Sequence, residues 1–145
     1  EQAVRKYLSR VSGPLLDRID IQVEVPPVEY GDLASREKGE SSKVIRERVN
    51  AARKLQQERY KNEEFSCNAR MTSKSLHETC VLSENAESFL KSAFQNSNFS
   101  ARAYDKILKV SRTIADLDGS EIIEISHIAE AVRYRSLDNK YWHNN

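Results

Sequence analysis

Glycine is scarce in this chain: its 145 residues hold four, at positions 13, 31, 39 and 119. No pair has the spacing of a phosphate-cradling loop, G-x-x-x-x-G-K-[ST], so the chain has no means of binding a triphosphate by itself. Cysteine is as rare, with Cys67 and Cys80 alone and no C-x-x-C. That excludes a disulfide-stapled scaffold. No apolar run has the length of a membrane span or the form of a secretory signal. A reducing cytoplasm and no membrane partner are therefore expected. An excess of one charge is missing too: 23 basic residues face 22 acidic ones, for a net charge of +1. The chain is not a uniformly basic nucleic-acid binder, and any contact with DNA must come from a local patch.

Histidine chemistry is equally thin. His77-x-x-Cys80, with Cys67 nearby, lacks a fourth well-spaced ligand for zinc, so no metal site is expected. His127 and His143 have no visible nucleophile partner, which argues against a histidine-based hydrolase.

What is present is a helical pattern with one strand-like segment. Ala3, Val4, Tyr7, Leu8 and Val11 have helical spacing. Residues 19–25 then alternate, with Ile19, Ile21, Val23 and Val25 on one face and Asp20, Gln22 and Glu24 on the other. Pro26-Pro27 ends the alternation. A single strand cannot satisfy its backbone or cover one face without partners. The chain opens at Glu1 without methionine, so the simplest expectation is a piece of a longer protein whose remaining strands lie upstream. A local hairpin with residues 121–125 is the alternative.

Residues 29–42 read as a polar connection with Gly31 and Gly39. Ser41 or Ser42 then caps a long helix reaching about Lys61. On a helical wheel Val44, Ile45, Val49, Ala52 and Leu55 share an arc, and Arg48 and Arg59 fall inside it. Arginines on an apolar arc require carboxylate or carbonyl partners elsewhere in the fold, or one of them reaches a nucleotide or the parent core. A short helix over about 72–80 follows. Ser83 caps another carrying Ala86, Phe89, Leu90, Ala93 and Phe94, and Ser100 caps a regular helix over 101–117 ended by Gly119. Ser126 caps a last one with Ile128, Ala129, Val132 and Tyr134. Residues 136–145 form a mostly polar tail.

Two segments carry a family resemblance. The run Ser12-Gly13-Pro14-Leu15-Leu16-Asp17-Arg18-Ile19-Asp20-Ile21 resembles the arginine-finger segment of magnesium-chelatase-like AAA+ ATPases, most closely in their competence-associated, ComM-type branch. The stretch from Phe99 to Leu117 resembles that family's sensor-two helix, and Ile125-Ser126-His127-Ile128-Ala129-Glu130-Ala131 resembles the element that closes it. With Gly39-Glu40-Ser41-Ser42 included, the likeness runs from about Tyr7 to Arg135.

The resemblance implies a mainly α fold: an AAA+ helical lid domain at 43–135, preceded by a linker at 29–42 and by residues 1–28, the end of an α/β ATPase core with its edge strand. It implies that Arg18 acts in trans on the nucleotide of an adjacent subunit, as permanent planar charge stabilises a transferring phosphoryl group. It implies that Arg102 touches the γ-phosphate in cis. ATP and Mg would be bound by the full-length protein and not by this chain alone, which is expected to show no ATPase activity. The implied partners are the protein's own N-terminal core, identical subunits in a hexameric ring, and DNA, on which the ring moves in branch migration.

Plainer readings remain beside these. Arg18 can be a surface ion pair with Asp17 or Asp20, and Arg102 a solvated helix start. The stripe of Arg102, Lys106, Lys109, Arg112 and Thr113 can track DNA phosphates, with Lys109 and Arg112 as candidate DNA or subunit contacts, or can be merely a wet helix face. Two other functions stay open: the motor subunit of a true magnesium chelatase, and a free-standing helical interaction or DNA-binding module.

Overall fold

The computed structural model describes residues 15, 18–34, 39–97 and 99–135. Its elements are α1 (Tyr30–Ala34), α2 (Ser42–Arg59), a single 3-10 turn (Asn68–Arg70), α3 (Ser73–Thr79), α4 (Glu84–Asn96), α5 (Ala101–Asp118) and α6 (Ile125–Arg133). The expected helix near the start and the polar tail at 136–145 lie outside the described residues.

Local chemistry sets most of the boundaries. Ser41, Thr72, Ser83 and Ser100 stand in extended backbone, and each accepts a bond from an N–H in the first turn of its helix. Gly119 closes α5 with φ +71°, and its N–H bonds back to carbonyls of the last turn. Helix α6 begins two residues earlier than its serine suggests. Glu124 takes the cap position, and its N–H donates to His127 Nδ1 at 3.0 Å.

The core sits around α5, which packs against α6, α2 and α3, while α4 packs on α6. Ile107, Leu108 and Ala115 of α5 meet Leu76 and Cys80 from the α3 region, Ala86 and Leu90 of α4, and Ile128 and Ala131 of α6. Phe94 meets Phe99 and Tyr104 at ring separations of 5.3 and 5.4 Å, sealing one end. Burying this set removes apolar surface from water, which stabilises the helical packing. Phe89, Phe94 and Tyr104 are thus packed against the helical core.

Three expectations are corrected here. Residues 19–25 form no strand, so the edge strand is not shown; among the described residues the fold is helical, with one isolated parallel bridge between Leu82 and Ile123. Ile123 thus pairs with Leu82, not in a hairpin with residues 19–25. An alternating segment becomes a strand only where a neighbour supplies backbone partners and covers the apolar face. Among the described residues, the ladder-like bond here runs from the Gln22 N–H to the Tyr134 carbonyl at 2.8 Å. The apolar face is exposed, up to 81% at Val25, and Gln22 from the opposite face is the buried residue.

Second, the polar connection contains the short helix α1. Third, the apolar arc of α2 is only partly used. Ala52 and Gln56 are buried, while Val44, Ile45, Val49 and Leu55 are exposed, and residues 42–51 are exposed throughout.

Candidate functional site

A cleft of about 580 Å³ opens along α5. Its lining includes Arg102, Lys106 and Lys109 from three successive turns of that helix, together with the apolar Val110, Ile114 and Leu117. Asp20 and Ile21 form the facing wall with Glu130 and Tyr134 at the end of α6. Spacings of three and four place the cations on one side of α5. The Ser100 cap fixes where the first turn begins, and so where Arg102 stands.

The three cations are not equivalent. Lys106 Nζ binds the Asp20 carboxylate and also donates to the Arg18 carbonyl at 2.8 Å. Lys109 Nζ donates to the carbonyls of Met71 at 2.8 Å and Ala69 at 3.3 Å, tying α5 to the 3-10 turn. Arg102 is exposed in the first turn, and no described residue makes a hydrogen bond or ion pair with its guanidinium. A cation at a helix start adds to the backbone N–H groups already there, an arrangement suited to an anion.

Arg18 is exposed, its N–H bonded to the Leu15 carbonyl at 3.0 Å. The ion pair that Asp20 makes is with Lys106 rather than with Arg18. Arg48 forms a two-pronged pair with Glu40 at 2.8 and 3.0 Å on the surface.

Arg59 turns inward. Its guanidinium grips Asp116 at 2.5 and 3.0 Å, which holds its pKa above the ordinary value against the opposing effect of burial. Arg112 Nε reaches the same carboxylate at 3.1 Å, and Asn68 Nδ2 reaches it at 2.7 Å. Arg112 also donates to the Glu121 carbonyl at 2.6 Å, and its side chain is 1% exposed. Tyr60 completes the set by donating to Asn68 Oδ1 at 2.8 Å; burial raises its phenol pKa.

Neither Arg48 nor Arg59 lines the cleft. The wheel places Arg112 on the wet stripe, and the structure corrects this: Arg112 is in the core with its donors committed. The basic stripe shrinks accordingly to Arg102, Lys106 and Lys109.

Sequence reasoning gave no role to Asp116, Asn68 or Arg135, and placed Lys106 only within the basic stripe. The Arg112–Asp116 spacing of four was a visible hint of a pair. Nothing local marked Asn68 or Arg135, whose partners are distant in sequence. Cys80 is buried, and its thiol is pushed up to about 11 by that burial. Among the described residues no group of three or more His, Cys, Asp or Glu side chains has metal-binding proximity. No helix among them is long and apolar enough to cross a membrane.

The family described as "Magnesium chelatase, subunit ChlI C-terminal" matches residues 39–135, and that described as "Magnesium chelatase, subunit ChlI" matches residues 1–33. The chain is 42% identical to competence protein ComM of Haemophilus influenzae over 94% of its own length and 26% of that protein's. It is 40% identical to the uncharacterized protein YifB of Escherichia coli over 99% of its length and 28% of that relative's. A third relative, the uncharacterized protein Rv2897c of Mycobacterium tuberculosis, is 33% identical over 90% of the chain and 26% of its own length. The chain spans about a quarter of the length of these curated relatives. It belongs to the magnesium-chelatase-like family, in the ComM-type branch.

Proposed function

We propose that this chain is the lid and arginine-finger portion of a ring-forming AAA+ ATPase that couples ATP hydrolysis to DNA remodelling of the branch-migration type. The observation that supports it most directly is Arg102: a guanidinium with no partner among the described residues, in the capped first turn of α5, lining a cleft with Val110, Ile114 and Leu117. A γ-phosphate contact there couples the state of the nucleotide to the orientation of the lid. Arg18, exposed and ahead of the segment on the facing wall, is free to complete the site of a neighbouring subunit. Hydrolysis then requires assembly, because no single subunit holds every group. ATP with its Mg is the substrate of the assembled protein, bound by an upstream core and only completed by Arg18 and Arg102. The competence role printed for the ComM relative supports DNA as the target.

The test uses the assembled full-length ATPase. Arg18→Ala lowers turnover by roughly 10³-fold or more, as expected for loss of a trans arginine, and mixing with subunits that retain Arg18 but have an inactivated phosphate loop restores part of it. Arg102→Ala lowers turnover without that rescue. Unchanged hydrolysis in the Arg18→Ala ring overturns the trans role.

A second reading is the motor of a true magnesium chelatase, favoured by the name of the matching family. The segment Arg18-Ile19-Asp20-Ile21 speaks for the competence branch. Stimulation of hydrolysis by DNA selects the first reading; stimulation by a porphyrin-binding partner subunit selects the second.

A further inference from the structure

The segment that carries Arg18 is stitched to the lid at successive residues. Lys106, one turn beyond Arg102 on α5, bonds both the Arg18 carbonyl and the Asp20 carboxylate. Arg135, just past α6, donates from Nη1 to the Ile19 carbonyl at 2.8 Å. The Gln22 N–H donates to the Tyr134 carbonyl at 2.8 Å. Residues 18, 19, 20 and 22 are thus held from two helices at once, though the apolar side chains of the segment make no comparable burial. The attachment is polar, directional and sited on the helix that carries Arg102.

We infer that Lys106 and Arg135 form a latch that fixes the Arg18 segment to the lid, so that movement of the lid carries Arg18 with it. This rests on the trans role proposed for Arg18. Lys106 is then a positioning residue: it touches no nucleotide of the neighbouring subunit and acts there only through the backbone at Arg18. Its bond to a carbonyl, rather than to the Arg18 side chain, leaves the guanidinium free while fixing where it starts. A lid turned by the nucleotide at Arg102 thereby repositions the group that serves the next site, which links hydrolysis around the ring in one direction.

Two measurements test this. In the 145-residue chain, Lys106→Met is expected to speed hydrogen exchange at the Gln22 amide by roughly tenfold while the amides of α5 and α6 keep their protection. Asp20→Asn, on an exposed residue, produces a smaller change in the same direction. Unchanged Gln22 exchange in Lys106→Met overturns the latch. In the assembled ATPase, subunits carrying Lys106→Met together with an inactivated phosphate loop are mixed with unmodified subunits. The expected result is a lower kcat at the unmodified sites with unchanged KM. A defect confined to the substituted subunit's own site, or no defect while Arg18→Ala still abolishes turnover, shows that the attachment does not position Arg18. If Arg18→Ala is itself silent, the trans reading fails, and the exchange result alone then decides whether the attachment exists.

Discussion

Arg59 on α2 and Asp116 on α5 lie 57 positions apart in sequence, yet they share a two-pronged ion pair at 2.5 and 3.0 Å. The carboxylate is fully buried and takes further bonds from Arg112 and Asn68. One acidic side chain therefore fastens α2, the 3-10 turn and α5 together.

Replacing Asp116 with Asn removes the charge while keeping the shape. It leaves Arg112 buried without a counter-ion, a situation that costs about 3–5 kcal/mol. Denaturant unfolding of the 145-residue chain is expected to show a loss of that size. A change below about 1 kcal/mol would mean that the carbonyls of Ser120 and Glu121, which accept from the two Nη atoms of Arg112, suffice to hold it.

Cys80 supplies a pH-dependent contribution. Burial raises its thiol from the ordinary 9.0 to about 11, with nearby Arg112 and Arg59 pulling the other way. A group with a raised folded-state pKa contributes stability that is full below about pH 9 and is lost as the pH climbs through about 11. The chain is expected to weaken over that alkaline window, and Cys80→Ala to flatten the pH dependence there. At about pH 8 a thiol reagent should modify the half-buried Cys67 well before Cys80. Equal rates for the two would show that the core opens readily around α3.

Gly119 closes α5 in the left-handed region at φ +71°, and a Cβ added there meets nothing within 4 Å. Gly119→Ala therefore meets no steric clash with its surroundings, only the intrinsic strain of that conformation. A destabilisation of about 1 kcal/mol is expected. Thermal unfolding reads it directly, and a neutral result would place the end of α5 under less constraint than its φ indicates.

Helix boundaries were legible because their causes are local. Ser41, Ser83, Ser100 and Gly119 each act within a turn of where they stand, and the structure uses each of them at a helix end. Residues 19–25 misled because alternation states only which side chains share a face; whether a strand forms depends on a neighbour that the pattern does not contain. Arg112 misled in a similar way. A wheel ranks residues by polarity and sends arginine outward, but Asp116 and two loop carbonyls make an interior place for it. The demand that Arg48 and Arg59 find acceptors was readable; which acceptors they find, Glu40 for one and Asp116 for the other, was not. For the cleft, the spacing of Arg102, Lys106 and Lys109 could be read along α5, whereas its far wall comes from a segment more than 80 positions away.

Asp116 answers to two cations, so the three positions are bound into one inheritable set. A lineage that lost the acid first would pass through a form whose buried Arg112 guanidinium lacks its counter-ion. Loss of Arg112 before the acid, by contrast, leaves Arg59 to neutralise what remains. The interior thus imposes an order on the substitutions by which descendants of this chain can drift.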